Sequence, residues 1–194
     1  MSNSMITNEK NMTLPLYQVD AFTTKLFGGN PAAVIPLEKW LDDSTLQNIA
    51  AENNLSETAF FLKEGEHYNI RWMTPANEVP LCGHATLASA FVIFNFIEKN
   101  SNKIKFMSKS GELIVERNGE MLTLDFPSHK PTPIKITDTI KKCFDKEPLE
   151  ILQNGFYVLA VFDSEDYIRN FQPNFEQIKQ IHPHAVIISS KGKE

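Results

Sequence analysis

Residues 85–99 read ATLASAFVIFNFIEK, and at helical spacing Leu87, Ala88, Ala90, Phe91, Val92, Phe94 and Ile97 fall on nearly every face. A helix that is apolar all round has no side to offer water and must be enclosed. Ser89 and Asn95 interrupt the stretch, and it is too short to span a bilayer. The enclosure therefore has to be built from the rest of the chain.

The neighbouring sequence supplies strands. Residues 14–21 (LPLYQVDA) alternate well enough for an opening strand, and Phe27-Gly28-Gly29-Asn30-Pro31 is a turn in which Pro31 keeps Asn30 out of the helical region. Residues 32–35 read as a short buried strand. Ser44 is placed to cap an amphipathic helix running through Leu46, Ile49 and Ala50 to about Asn53. Residues 58–62 and 68–73 flank the polar turn Glu64-Gly65-Glu66 as a hairpin. After the apolar helix come strands at 104–108, 113–117 and 121–126, turning at Ser110-Gly111 and at Asn118-Gly119, a strong hairpin signal. The predicted fold is α+β: a strongly curved, barrel-like, mainly antiparallel sheet wrapped around a central buried helix. Leu87→Asp or Phe91→Asp is expected to unfold it by placing an unpaired charge in the core.

Proline density at residues 127–133 (PSHKPTP) marks a linker. Beyond it the pattern restarts with a helix at 138–144, a strand pair split by Asn154-Gly155, a polar helical stretch at 165–181 and a strand at 185–189. The predicted domains are residues 12–127, complete, and 128–194, a partial second half without a central apolar helix. Strands 156–162 and 185–189 should then lack apolar cover, which favours self-association.

Several function classes drop out. Hydrophobic residues at 42% and charged ones at 22% describe a packed soluble domain, and 194 residues bury a core without disulfide or metal. A net charge of −5 with no basic run makes nucleic acid an unexpected partner. The opening MSNSMITNEKN lacks the apolar core of a signal peptide and reads as a frayed extension. Cys82 and Cys143 lie far apart, and no CxxC or HxxxH spacing occurs, so no zinc site is expected. Both thiols are expected to be reduced in a cytoplasm. Gly28-Gly29-Asn30-Pro31 matches neither GxGxxG nor a P-loop, and no nucleotide cofactor is implied.

Two segments carry candidate chemistry. In Asn54-Leu55-Ser56-Glu57-Thr58 a carboxylate sits at a loop-to-strand junction beside apolar residues. Partial burial would suit Glu57 to proton transfer, and the plainer reading is a solvated loop acid. In Cys82-Gly83-His84-Ala85-Thr86, at the start of the apolar helix, free N–H groups would favour an anion. Gly83 would allow close approach and His84 could donate or relay a proton. The alternative is a glycine-assisted helix start with a structural histidine. Cys82 is either a thiol activated by the helix terminus or a small core residue. His67, His129, His182 and His184 are assigned no role, and the phenylalanines read as core.

Taken in order, Gln18-Val19-Asp20-Ala21-Phe22, Gly29-Asn30-Pro31-Ala32-Ala33-Val34, residues 54–60 (NLSETAF), Arg71-Trp72-Met73-Thr74-Pro75 and residues 78–88 (EVPLCGHATLA) resemble the PhzF-like family of phenazine biosynthesis. The resemblance spans residues 14–126 and continues more loosely beyond. It implies two similar halves, each a curved sheet around a helix as in diaminopimelate epimerase, with the active site in the cleft between them. It also implies an isomerase that moves a proton on a small carboxylate-bearing substrate without metal or organic cofactor, and a homodimer. The namesake isomerises a dihydroxyanthranilate precursor. By the same resemblance Glu57 is the proton-transfer residue, and Asn30, Ser56, Gly83 and His84 bind substrate. A later family block resembling Glu-Asp-Pro-(small)-Thr-Gly has no counterpart here, so the chain is expected to be truncated and impaired. Two alternatives stand beside this: a thiol-based racemase using Cys82, and a non-catalytic half-fold or binding module.

Overall fold

The computed structural model describes residues 13–25, 27–155, 157–181 and 185–192. The expectations for residues 1–11, for Phe156 and for His182 and His184 lie outside the described residues. The chain divides into two compact units, Met1–Phe126 and Pro127–Glu194.

In the first unit, β1 (Tyr17–Ala21) pairs antiparallel with β2 (Asn30–Leu37), and β2 runs parallel to β3 (Glu57–Glu64). The crossover between these parallel strands is α1 (Asp43–Asn53), as a parallel connection requires. β3 turns through Gly65 into β4 (His67–Met73), which carries the short β5 (Glu78–Val79) on its edge. α2 (Gly83–Val92) then passes inside the curve of the sheet. β6 (Lys103–Ser108), parallel to β4, continues into β7 (Gly111–Asn118) and β8 (Met121–Asp125) as antiparallel hairpins. The sheet order is β1-β2-β3-β4-β6-β7-β8, mainly antiparallel, as the strand and turn signals imply.

Strand alternation divides the core in two. Val34, Ala59, Phe61, Ile70, Trp72, Phe106 and Val115 face α2. Ile35, Leu37, Phe60 and Met73 face the other way, onto Leu46 and Ala50 of α1. β2 and β3 are thus covered on both sides, and they read as near-continuous buried runs rather than alternating ones. Pro36, which has no N–H, falls beyond the end of the β1 pairing. Gly29 is obligatory at the entrance to β2. Its φ is +77°, and a Cβ there would stand 2.2 Å from the Ala21 carbonyl oxygen.

The central helix departs from expectation in three ways. It begins at Gly83, two residues early, and its α-helical part stops at Val92, after which Ile93–Ile97 form a π-helical turn. It is also not buried all round. Phe94 is 1% exposed, but Phe91 is 43% exposed and Leu87 only partly buried. The reason is the seam of the curled sheet: a groove of about 840 Å³ opens between β1 and β8 with Leu87, Ala88 and Phe91 on its floor. Phe91→Asp is therefore no probe of the core. Of the buried polar residues of α2, Thr86 and Ser89 are satisfied by nearby backbone, Thr86 Oγ1 donating to the Cys82 carbonyl at 2.5 Å and Ser89 Oγ to Ala85 at 2.7 Å.

Ser44 does not cap α1. Asp42 does, its carboxylate accepting from Thr45 N–H at 2.9 Å and from the hydroxyls of Ser44 and Thr45. These three donors hold the Asp42 carboxyl down at about 2.

The second unit is a four-stranded sheet, β9 (Thr132–Pro133), β10 (Glu150–Gln153), β11 (Tyr157–Phe162) and β12 (Ala185–Ser190), in the order β12-β11-β10-β9. β11 and β12 are parallel, a pairing the sequence pattern did not specify. The expected single helix over 165–181 is two short ones, α4 (Glu165–Asn170) and α5 (Phe175–Ile178), separated around Pro173. With α3 (Asp138–Cys143) they supply Ile140, Cys143, Tyr167, Ile168 and Ile178 to a cluster against Val158, Ala160 and Phe162. One face of the sheet thus has apolar cover after all. Tyr157 and Ile187, which alternate along their strands with the covered residues, remain exposed on the other face.

Candidate active site

The parallel register of β2 and β3 sets Ala32 opposite Glu57, which brings the entrance of one strand beside that of the other. Ser56, just ahead of β3, thereby reaches Asn30, its hydroxyl lying 3.4 Å from Asn30 Oδ1 and 3.5 Å from the Pro31 carbonyl oxygen. α2 enters the curve at the same end. His84 in its first turn places Nε2 3.4 Å from Ser56 Oγ and 3.3 Å from Glu57 Oε2. Its other ring nitrogen, Nδ1, lies 3.5 Å from Cys82 Sγ. Asn30, Ser56, Glu57 and His84, spread over 55 positions of sequence, thus form one continuous polar chain. The His84 side chain is 9% exposed and that of Glu57 20%, so the carboxylate sits at the mouth with the imidazole behind it.

Gly83 opens α2, and the Cys82 side chain makes no capping hydrogen bond to that helix. The first-turn N–H groups, with the positive end of the helix dipole, can receive an anion. The structure also supplies a packing reason for Gly83 that the sequence did not suggest. A Cβ at this position would meet the Phe126 ring at 2.9 Å. Phe126, read with the other phenylalanines as core, is 39% exposed and lies over the start of α2. No periodicity or spacing signal distinguishes it.

Burial pushes the Cys82 thiol up to about 12, and the neighbouring Glu57 carboxylate adds to the shift. Cys82 is therefore a neutral S–H at physiological pH. Cys82, His84 and Glu57 offer ligand atoms within 4.8 Å of one another, a grouping compatible with a metal ion that linear spacing conceals because Glu57 comes from a different element. Nearby, Arg71 donates to both Glu78 oxygens at 2.9 Å and to Asp43 at 2.8 Å, and Lys109 also reaches Glu78. These cations hold the Glu78 carboxyl at about 2. Arg71, in the fourth of the resembling blocks, thus ties β4 to β5 and α1.

A curled sheet around a helix, with an acid and an imidazole facing each other at the helix entrance, defines a small α+β domain whose candidate site lies where the helix enters the sheet. The chain belongs to the phenazine biosynthesis-like protein family, whose model matches residues 19–194. It is 41% identical over 181 residues to an uncharacterized isomerase of Pseudomonas aeruginosa, covering 93% of this chain and 69% of that protein. It is 37% identical over 207 residues to the human phenazine biosynthesis-like domain-containing protein, covering 94% and 70%. Among solved structures, a PhzF-family protein of Enterococcus faecalis superposes with a TM-score of 0.86 at 42% identity, again covering 94% of this chain and 70% of the other. The expected family and fold class both hold.

Proposed function

We propose that this chain carries the proton-transfer half of a cofactor-independent isomerase acting on a small carboxylate-bearing substrate. The observation that carries the reading is the contact between Glu57 at the head of β3 and His84 in the first turn of α2, at 3.3 Å. In this reading the Glu57 carboxylate takes a proton from one substrate carbon and returns it to another, so the product is an isomer and nothing is oxidised or reduced. The substrate carboxylate lies against the first-turn N–H groups of α2 at Gly83, where the dipole offsets its charge and the negative charge that develops on proton removal. Asn30 and Ser56 contribute hydrogen-bond partners at the same mouth.

The thiol-racemase alternative has less support. A racemase base must be a thiolate, whereas burial holds the Cys82 proton in place. Cys143 lies in the second unit, where its Sγ contacts the Thr139 and Gln177 carbonyls. A cytoplasmic homodimer is the assembly we assign. We propose that a polypeptide limited to these 194 residues turns over slowly, since they span 69% and 70% of the lengths of the relatives they match.

The test is solvent-deuterium incorporation into candidate small carboxylates, followed by NMR, for the wild type and Glu57→Gln beside a full-length relative with the matching substitution. Exchange that depends on the glutamate supports the reading. Exchange that survives Glu57→Gln, or that is blocked by iodoacetamide and protected by substrate, overturns it. Light scattering on the same samples reports the assembly.

A further inference from the structure

Every polar atom at this site except one has an obvious purpose in binding or proton transfer. The exception is the Cys82 thiol, buried at the N-cap of α2, 3.5 Å from His84 Nδ1. An imidazole between two elements must decide which nitrogen carries its proton, and its neighbours decide this for it.

On one side, Nε2 faces a carboxylate oxygen of Glu57 at 3.3 Å and the Ser56 hydroxyl at 3.4 Å. An ionised carboxylate only accepts, so a lone pair on Nε2 would be repelled and a proton there is favoured. The Ser56 hydroxyl can then accept from His84 and give its own proton to Asn30 Oδ1 or the Pro31 carbonyl oxygen. On the other side, Nδ1 is left with a lone pair, and the group facing it is the Cys82 sulfur. A neutral S–H is a donor that fits this position, whereas a carbonyl or carboxylate there would demand the opposite tautomer. With the opposite tautomer, Nε2 would need a proton from Glu57, and Glu57 would meet the substrate already protonated.

We propose that Cys82 is a positioning residue whose S–H donates to His84 Nδ1, holding the imidazole as the Nε2–H tautomer and so keeping Glu57 in its proton-accepting form. The inference rests on the proton-transfer reading of Glu57 for its purpose. The hydrogen bond itself stands on the geometry alone. The direction of the chain is then uniform: Cys82 to His84, His84 to Glu57 and Ser56, Ser56 to Asn30 or Pro31. It also accounts for a buried thiol with no redox or nucleophilic task. The carboxylate of Glu57, within 4.8 Å of the thiol and near enough to take a hydrogen bond from it, is the competing acceptor for the same proton.

Nitrogen-15 NMR of histidine-labelled full chain separates the possibilities without any substrate. Four other histidines are present, so His84 is assigned with His84→Gln. In the wild type at neutral pH, His84 should show a protonated Nε2 and a lone-pair Nδ1 shifted from its free value by an accepted hydrogen bond. Cys82→Ala should move the Nδ1 resonance toward the unbonded value while backbone amide signals away from α2 stay in place. Cys82→Ser, which restores a donor, should bring it most of the way back. An Nδ1–H tautomer in the wild type overturns the proposal. So does an Nδ1 resonance unmoved in both variants, which would mean that the thiol gives its proton to Glu57. If either substitution prevents folding, the S–H stretching band of Cys82 in the infrared, isolated in Cys143→Ser, must shift in His84→Gln, and a band that stays put overturns it equally. Should Glu57→Gln leave deuterium exchange intact while these signatures appear, the functional reading falls and the hydrogen-bond assignment survives.

Discussion

Glu57 Oε2 and His84 Nε2 face each other at 3.3 Å although 26 residues separate them. The contact joins the first residue of β3 to the first turn of α2, and both belong to elements whose interiors are packed on opposite sides of one core. A site hung between two such rigid parts is held by the whole sheet rather than by a loop, which is what a proton-transfer geometry needs.

Glu57→Gln keeps the shape of the side chain and removes its ability to accept a proton. Turnover should fall by about 10² to 10⁴-fold in the complete enzyme, the usual contribution of a positioned general base. Melting temperature and circular dichroism should be unchanged. Near-normal turnover would remove Glu57 from the reaction.

Gly83→Ala should destabilise the first unit by about 1–3 kcal/mol, because its Cβ would stand 2.9 Å from the Phe126 ring. In a Phe126→Ala background the same change should cost almost nothing, since the obstruction is gone. A double-mutant cycle from urea unfolding measures this coupling directly. If Gly83→Ala is harmless alone, the ring yields, and the glycine is there for close approach of a ligand.

Phe94→Asp and Phe91→Asp lie three positions apart on one helix and should behave oppositely. The first puts a charge at a side chain 1% exposed and should cost more than about 4 kcal/mol, enough to unfold the unit. The second, 43% exposed at the seam, should stay soluble and folded. Two unfolded variants would mean that the seam is closed in solution.

Asp42→Ala removes the cap of α1 and should lower the urea midpoint of the first unit. Ser44→Ala, which leaves the cap in place, should stay within about 0.5 kcal/mol of the wild type. Equal losses at the two positions in chemical unfolding would return the capping role to Ser44.

Acid should weaken the first unit through Glu78. Its folded pKa is depressed from 4.5 to about 2 by Arg71 and Lys109, so the unfolded chain binds its proton first as pH falls. The stabilisation is fully present above about pH 4.5 and is lost progressively as pH falls toward 2. Urea midpoints between pH 6 and 2 should therefore fall less steeply for Glu78→Gln than for the wild type. Parallel curves would show that the ion pairs contribute nothing.

Much of the fold is local in origin and for that reason legible. Asn118-Gly119 predicts the β7–β8 hairpin and Gly119 indeed takes a positive φ of 63°. Pro127 and its neighbours mark the boundary at which the two units divide. Phe91 shows where such reading stops. Its apolar character and helical spacing match those of Phe94, and only the gap between β1 and β8 separates their environments. Ser44 and Asp42 are both good caps, and Asp42 serves because the helix begins at Asp43, which puts Ser44 inside the first turn.

By itself the sequence determined that an all-apolar helix needed a sheet around it and where the chain turns, and it singled out the segments of Glu57 and His84 as candidates for chemistry. Those are properties of residues within a few positions of one another, set by backbone sterics and side-chain polarity. Only the tertiary structure decided that β2 and β3 run parallel in the register that sets Ser56 beside Asn30. It also decided that α2 enters at that same end and that Phe126 rests over Gly83. These relations join residues tens of positions apart. No local preference encodes them, because they are fixed by the single way in which the two faces of the sheet can bury α1 and α2 at once.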